Sequence, residues 1–316
     1  MNSNLLVKLV VLVILLIVLG VSLVYFNIVP CSFYSELGCD VYYSIVAGGK
    51  PKVLIVYGDE GLGNPFFLAE VLRSPRISAR VKLIDLESVS LPLLQEYQLV
   101  IVERAKEISV DELIMFQEYV LKGGKLVWIG DAGTIAKEEE LLLESERKKG
   151  GKDAYLGPWA RKEGEKQISF DYTLGVQFIA NRCELTECKG NDLAGYINFV
   201  DSGDKLSYGL SQKLPLYGDF SIVNLNELAY QKSSAYLDYG FNLVGKADHA
   251  WLESKTQNFG KSFPIIVTSG VGGRVAYYAF PPEYLVSDKM PIDAETGKRQ
   301  TYWGIIENLY YGMLYK

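Results

Sequence analysis

The segment Lys125–Thr134, KLVWIGDAGT, places an acidic side chain where a catalytic turn would present a nucleophile. The apolar run Leu126–Ile129 predicts a buried strand that stops at Gly130-Asp131-Ala132-Gly133. Small residues on both sides of one functional side chain are typical of a strained elbow at the edge of a sheet. A nucleophile elbow carries Cys or Ser at this position, whereas this chain carries Asp131. The chemistry open to this chain therefore depends on that carboxylate.

Further polar side chains follow the other predicted strands, and open α/β sheets bind ligands at the carboxyl ends of their strands. The candidate ligand-binding residues are Asp59, Glu60, Asn64, Glu103, Arg104, Asp131 and Glu283. Carboxylates in such a cluster can bind a divalent cation or act as an acid/base pair on a glycoside. The alternative is that they face solvent and cap the following helices, which suits Asp59 and Glu60 just before the Asn64 cap.

These residues are positioned by alternating strands and helices between 51 and 134. The predicted strands are Lys52–Tyr57, Val81–Leu86, Leu99–Glu103 and Leu126–Ile129, and the predicted helices are Pro65–Leu72 and Val110–Leu121. Asn64 is a helix cap before Pro65, and Ser109 with Glu112 forms a capping box. The alternation predicts a parallel sheet with right-handed crossovers and helices on both faces.

The remainder of the chain is less regular. The charged stretch at 135–165 predicts a helix followed by an exposed loop, and 166–260 predicts short strands and turns, so that about 135–260 is a β-rich insertion. Two strands, Phe263–Ser269 and Arg274–Phe280, are predicted to form a hairpin, and Tyr302–Leu314 is predicted to be a closing helix. The fold class is therefore α/β, with a mostly parallel, doubly wound, flavodoxin-like sheet and a β-rich insertion.

The N-terminus predicts a membrane anchor. Leu9–Phe26 is a charge-free apolar run of roughly bilayer length, and Lys8 precedes it. The positive-inside rule gives a cytoplasmic N-terminus at 1–8, a transmembrane anchor at 9–29, an extracytoplasmic stalk at 30–50 and an α/β domain at 51–316. A cleaved signal peptide is the alternative, although no A-x-A site follows the run.

Charge and cysteine content limit the partners. The net charge of −6 disfavours nucleic acid, which requires a basic surface. The cysteines Cys31, Cys39, Cys183 and Cys188 predict disulfides on the oxidising side of the membrane, with free thiols as the alternative. No histidine lies near them, so no metal site is predicted. His249 is the only histidine, and no G-x-S-x-G motif accompanies it.

The strands VLIVYGD, QLVIVERA and KLVWIGDAGT, with DKLSYGL and GGRVAYYAFPPEYL, resemble the class I glutamine amidotransferase-like superfamily over about 51–134 and 200–316. The resemblance is to its non-catalytic branch, which includes ThuA-like domains and domains of the GldG–IFT–OST48 type. Catalytic members carry G-x-C-x-G at the elbow and His-Pro-Glu after a late strand. Here Asp131 replaces the cysteine and Pro281 replaces the histidine, so neither the nucleophile nor its base is present.

The resemblance and the two replacements predict a pseudoenzyme without a cofactor. We expect a membrane-anchored, extracytoplasmic binding or scaffold module for a carbohydrate, an envelope polymer or an envelope protein. The alternative is a carboxylate-dependent glycan hydrolase that uses Asp131 with Glu283 or Glu103. Two facing carboxyl groups about 5–10 Å apart would favour the hydrolase, whereas an Asp131 bonded to backbone amides or covered by the insertion would exclude it.

Overall fold

A computed structural model of the chain describes residues 3–25, 50–144, 156–188, 192–201, 203–210, 213–252, 255–292 and 297–315. The strands in this part of the chain are β1 Lys52–Tyr57, β2 Arg80–Asp85, β3 Leu99–Glu103, β4 Leu126–Ile129, β5 Leu141–Leu142, β6 Ala160–Glu163, β7 Lys166–Ser169, β8 Val176–Asn181, β9 Leu193–Phe199, β10 Lys213–Tyr217, β11 Ser221–Leu225, β12 Gln231–Gly245, β13 Gln257–Ser269 and β14 Val275–Tyr278.

The α-helices are α1 Ser3–Tyr25, α2 Pro65–Arg73, α3 Leu91–Leu94, α4 Val110–Leu121, α5 Asp171–Leu174, α6 Arg182–Leu185, α7 Gly304–Glu307 and α8 Met313–Tyr315. Short 3₁₀ turns cover Leu86–Ser88 and Pro282–Val286, and a π-helical stretch covers Asn308–Gly312. The closing helix predicted at Tyr302–Leu314 therefore forms as α7, the π-helical stretch and α8 in succession.

A nine-stranded sheet forms the centre of the molecule, in the order β10-β9-β12-β13-β14-β4-β3-β1-β2. The five strands from β14 to β2 are parallel to one another, in the order typical of flavodoxin-like folds. The strands from β13 to β10 pair antiparallel and extend this sheet on one side. The prediction of a mixed α/β fold around a large, mostly parallel sheet is confirmed.

Local sequence signals account for the parallel half. Strands β1, β3 and β4 are buried and apolar, as expected for strands covered on both faces. The Asn64 side chain caps α2 by accepting from the Phe67 N–H, and Ser109 and Glu112 form the predicted capping box of α4. These caps fix where each helix starts after its strand, and so they fix the loops at the carboxyl edge.

The β-rich insertion is present, but its first element differs from the prediction. The segment predicted to be a charged helix contains β5, which pairs with β6, while 145–155 lie outside the described residues. Glu140 is buried there and forms an ion pair with Arg161 at 2.7 Å. A buried charge requires a partner, and this long-range pair overrides the helical pattern.

Helix α1 forms over most of the predicted anchor, and its apolar side chains from Leu9 to Leu19 are exposed. Among the helices that the structure describes, none is both long and apolar enough to cross a membrane. The predicted transmembrane anchor at 9–29 is thus not supported. The predicted stalk at 30–50, with Cys31 and Cys39, lies almost wholly outside the described residues.

Candidate functional site

The carboxyl ends of the parallel strands divide the predicted site residues into separate groups. Glu103 ends β3 and Glu283 follows β14, and these two carboxyl groups meet beneath the loop that carries Asn64. Asp131 follows β4 and belongs to a second group. Asp59 and Glu60 are exposed, and Arg104, also exposed, reaches back to the Asp59 carbonyl oxygen at 3.3 Å. Those last three residues do not join either group.

The Asp131 carboxylate is held by the protein itself. Its Oδ1 accepts from the Leu62 N–H at 2.8 Å, and its Oδ2 accepts from the Asn181 amide at 2.8 Å. The Lys106 ammonium lies 3.4 Å from Oδ2, and the side chain of Asp131 is 2% exposed. Both oxygens therefore stabilise loops, and neither is available to attack a substrate.

The insertion covers the turn around Asp131. The indole N–H groups of Trp128 and Trp159 both donate to the Ala132 carbonyl oxygen, at 2.9 and 2.8 Å. The buried Arg161 guanidinium donates to the Gly133 carbonyl oxygen. The positive φ values at this turn, +60° and +69°, fall on Gly130 and Gly133 and not on Asp131. The elbow is thus a closed structural turn and not an open presenting one.

A chain of charges leads from this turn to the surface. Lys106 lies 3.4 Å from both Asp131 and Glu184, and the His249 ring contacts Glu184 at 3.0 Å. Burial favours the neutral form of Glu184, but hydrogen bonds from His249 and the Asn181 N–H, with the charge of Lys106, lower its pKa to about 2. His249 therefore orients a carboxylate, and the side chains that it bonds to or stacks on in the described part of the chain are Glu184 and Trp251, neither of which is a Ser or Cys nucleophile.

Glu103 and Glu283 form a buried carboxyl pair, with exposures of 0% and 1%. Burial raises the pKa of Glu103 well above its usual range, and the neighbouring Glu283 charge and hydrogen bond raise it further. Burial also raises the pKa of Glu283 to about 7, against the opposing effect of the Asn64 N–H, which donates at 2.9 Å. Both carboxyl groups therefore favour their protonated forms more strongly than an ordinary glutamate does.

The pair leaves acceptor capacity unused. A carboxylate offers about four acceptor sites, and Glu283 uses only some of them, for the Asn64 N–H and for the contact with Glu103. Outside the pair, no described group donates to Glu283 Oε2 or to either oxygen of Glu103, and all three oxygens are shielded from solvent. Buried polar atoms without a full set of partners are uncommon in proteins and call for an explanation.

A cavity of about 350 Å³ lies beside Glu283. Its lining residues are Asn64, Phe67, Glu283, Tyr284, Ser287, Asp288 and Lys289. The volume is within the range of small-molecule sites, and the position matches the strand-end edge where open α/β sheets bind ligands. Of the predicted site residues, Asn64 and Glu283 line this cavity, and the buried Glu103 neighbours Glu283 without lining it.

Lys289 supplies a cation at this cavity. Its Nζ lies 3.2 Å from the centroid of the Tyr284 ring. Burial lowers the pKa of Lys289, although the charges of Glu283 and Asp288 oppose that change. In the described part of the chain, no carboxylate forms an ion pair with this ammonium within 4.0 Å, so its donors remain available.

A larger cavity, of about 550 Å³, opens at the opposite edge of the sheet. Pro51 and Lys125 line it close to the starts of β1 and β4. In open α/β sheets the helix N-termini point toward a ligand at the carboxyl ends of the strands, and not at the ends where the strands start. We therefore place the candidate site at the smaller cavity.

The predicted disulfide between Cys183 and Cys188 is confirmed. Both sulfur atoms lie close to the Asp219 carboxylate, in the one arrangement among the described residues that resembles a metal-ligand cluster. Because the sulfur atoms are bonded to each other, they are not thiolate ligands. The Asp219 carboxylate instead accepts from the Cys183 N–H at 3.0 Å.

Some residues of the site carry no signal in the sequence. Lys289 lies in a stretch without a motif, Tyr284 lies in the segment GGRVAYYAFPPEYL but is not marked there as a site residue, and Asn181 lies in the insertion. Only the fold shows that the turn at Pro282–Val286 brings Tyr284 and Lys289 to the cavity, and that β8 brings Asn181 to Asp131. Glu283 could be found because it follows a predicted strand.

No protein family model matches the sequence, and no curated protein does either. Among solved structures, a ThuA-like protein from Bacteroides uniformis is similar, with a TM-score of 0.52 and 14% identity over 84% of this chain and 92% of that one. A component of GMP synthase from Thermoplasma acidophilum has a TM-score of 0.45 and 11% identity over 84% of this chain and 94% of that one.

A β-galactosidase from Bacillus circulans has a TM-score of 0.49 and 12% identity over 83% of this chain. This chain matches only 30% of that enzyme's length. The likeness to the ThuA-like protein shows that the chain has the fold expected from its resemblance to amidotransferase-like domains.

Proposed function

We propose that the chain is a non-catalytic binding module on an amidotransferase-like fold, with its ligand site at the cavity beside Glu283. The observation that carries the proposal is the cavity of about 350 Å³ at the carboxyl edge of the sheet, where the buried Glu283 and the half-buried Lys289 are among the lining residues. The ligand class is a carbohydrate or envelope polymer, or a segment of a partner protein.

Amidotransferase chemistry does not suit these residues. Asp131 stands where the thiol would be, and both its oxygens accept hydrogen bonds. Pro281, which can neither accept nor deliver a proton, stands where the histidine would be. Glu283 is retained, but because Pro281 replaces the histidine it has no imidazole to orient. It interacts instead with Glu103 and accepts from the Asn64 N–H.

Glycan hydrolysis by the predicted carboxylate pairs is also disfavoured. Asp131 is covered by the insertion. Glu103 and Glu283 are 0% and 1% exposed, whereas the two carboxyl groups of a glycosidase flank a substrate in an open cleft, about 5–5.5 Å apart in retaining enzymes and about 6.5–9.5 Å apart in inverting ones. The buried pair presents no such cleft to a sugar.

A membrane anchor that holds the domain on the extracytoplasmic side stays part of the proposal. The exposed apolar side chains of α1 support the membrane association, because a helix that is apolar all round requires an apolar environment. Fractionation of cells that express the full chain tests it: the chain should remain with membranes after an alkaline wash. Release into the wash would contradict the anchor.

A blocking variant tests the ligand site. Asp288 is an exposed residue at the rim of the cavity, so Asp288→Trp should fill the opening without disturbing the core. Glu96→Trp, at an exposed position away from the cavity, is the matched control. Ligand-observed NMR with a panel of glycans and peptides should show binding that D288W abolishes and E96W retains. Equal binding by both variants would refute the assigned site.

A further inference from the structure

The larger cavity, of about 550 Å³ at the edge where the parallel strands start, has a wall that carries cations. Lys122 and Lys125 line it together with the amides of Gln95 and Gln98, and no Asp or Glu is among its described lining residues. The chain as a whole has a net charge of −6, so this wall differs in sign from the molecule around it. The volume is within the range of small-molecule sites.

The Lys125 ammonium group is held at this wall without a counter-ion. Its Nζ donates to the Leu314 carbonyl oxygen at 2.8 Å, which fixes the group and leaves two of its three N–H donors. Lys125 is half-buried, and burial and the neighbouring Arg274 charge both lower its pKa. No carboxylate in the described part of the chain offsets this effect. Because charges that are partly removed from water require a partner, a bound anion would supply what the protein does not.

Two further cations stand beside Lys125. A Cβ placed on Gly123 would lie 3.8 Å from the Arg274 Nη1, so this guanidinium group adjoins the cavity wall. Lys122 is exposed, and its Nζ lies 3.6 Å from a Glu118 carboxylate oxygen. Exposed ion pairs of this kind contribute little, so Glu118 offsets the Lys122 charge only in part. The local charge at the cavity is therefore positive.

We infer that this cavity binds the oxyanion group of a small molecule, a phosphate, sulfate or carboxylate, with the ammonium groups of Lys125 and Lys122 as its donors. Hydrogen bonds from an ammonium group to an oxyanion are charge-assisted and stronger than neutral ones. The Gln98 Oε1 accepts from the Lys52 N–H at 2.7 Å, which leaves the Gln98 amide nitrogen as a further donor. A cationic ligand is repelled at this wall, and a neutral ligand leaves the Lys125 charge uncompensated.

The test compares ligands that share one ring and differ in charge. The purified full-length chain is titrated by calorimetry with phenyl phosphate, benzoate, benzyl alcohol and benzylamine at equal ionic strength. We expect each of the two anions to bind at least about tenfold more tightly than benzyl alcohol, which corresponds to about 1.4 kcal/mol. Equal or tighter binding of benzyl alcohol, or of benzylamine, overturns the inference.

Three cavity variants and one control locate the binding. Lys125→Met should weaken binding of phenyl phosphate by about tenfold, as expected for the loss of one charge-assisted hydrogen bond. Lys122→Met should weaken it by about threefold, and this exposed position remains informative if K125M does not fold. Glu118→Gln should strengthen binding about twofold by freeing Lys122, an effect that a purely structural role of the lysine would not produce. Lys246→Met, exposed next to the far end of β12, should leave binding unchanged, and equal effects of K125M and K246M would overturn the assigned contact.

Oxyanions occur both in soluble molecules and in lipid headgroups, and a second titration separates the two sources. The chain is reconstituted in phosphatidylcholine vesicles with and without phosphatidic acid. Weaker binding of phenyl phosphate beside phosphatidic acid identifies the headgroup as a competitor for the cavity, whereas unchanged binding identifies soluble anions as its ligands. In both cases an affinity that K125M leaves unchanged overturns the site.

This inference goes beyond the proposed function, because the two cavities lie at opposite edges of the sheet. D288W fills the cavity beside Glu283 and should leave the binding of phenyl phosphate unchanged. Loss of that binding in D288W, with K125M unaffected, would place the anion at the other cavity and overturn the inference. If instead the proposed function fails and no ligand is sensitive to D288W, the binding of phenyl phosphate and its loss in K125M are still expected.

Discussion

Replacing Glu103 by Gln should change how the stability of the fold depends on pH. In the unfolded chain both carboxyl groups of the Glu103–Glu283 pair lose their protons near the ordinary glutamate pKa of 4.5. In the folded chain burial raises the pKa of Glu283 to about 7, and burial next to Glu283 raises the pKa of Glu103 well above its usual range. Because both pKa values are raised on folding, the contribution of the pair to stability is greatest at low pH and falls as the pH rises.

The slope gives the number of protons involved. Between about pH 5 and about pH 7 the unfolded chain binds fewer protons than the folded chain, and each such proton lowers the free energy of unfolding by about 1.4 kcal/mol per pH unit. Relative to the double variant E103Q/E283Q, wild type should show a slope of about −2.7 kcal/mol per pH unit. E103Q should show about −1.4, because Gln cannot ionise but can still donate to Glu283.

Urea unfolding followed by tryptophan fluorescence at several pH values across this range measures the slopes. The double variant serves as the reference, since every other titrating group is common to the three proteins. Parallel curves for wild type, E103Q and the double variant would refute the reasoning, because they would mean that both carboxyl groups are ionised in the folded chain over this pH range, as they are in the unfolded chain. A steeper slope for E103Q than for wild type would refute it equally.

Three further perturbations, two of them substitutions and one a disulfide reduction, test groups near the covered turn and in the insertion. Asp131→Ala should destabilise the fold by about 3 kcal/mol in urea unfolding, because it leaves the Leu62 N–H and the Asn181 amide without an acceptor; a loss of less than about 0.5 kcal/mol would contradict this. Arg161→Met should cost about 3–5 kcal/mol by leaving Glu140 buried and unpaired, whereas adding E140Q should recover part of the loss, and no recovery would count against the ion pair. Reducing the Cys183–Cys188 disulfide should lower the free energy of unfolding by about 2 kcal/mol, as expected for so short a loop, and an unchanged denaturation midpoint would show that it does not stabilise the fold.

The parallel half of the fold could be predicted because its signals are local. The buried strands β1, β3 and β4 are continuous apolar runs, and their helices start at caps that the sequence names. The antiparallel extension could not be predicted in the same way. Pairing of β12 with β9 and β13 depends on contacts between distant segments. The alternation of side chains in the sequence can indicate each single strand, but it does not indicate which strands pair.

The candidate site was predictable in part for the same reason. Topology brings strand ends to one edge, so Glu103, Asp131 and Glu283 were expected there. Their division into a proton-sharing pair and a covered carboxylate depends on side-chain positions. Asn181, which lies 50 residues after Asp131, donates a hydrogen bond to the Asp131 carboxylate and so helps to make it inaccessible to a substrate. No local sequence pattern predicts that contact.

One ligand-observed NMR experiment tests the central claim that this chain binds a ligand at the Glu283 cavity without transforming it. A mixture of the full-length chain and cellobiose is followed over many hours, and saturation transfer and the chemical identity of the sugar are read from the same spectra. The account predicts transfer to the sugar that D288W removes, with the sugar unchanged at the end. New resonances of cleaved glucose that wild type produces and D288W does not would contradict it.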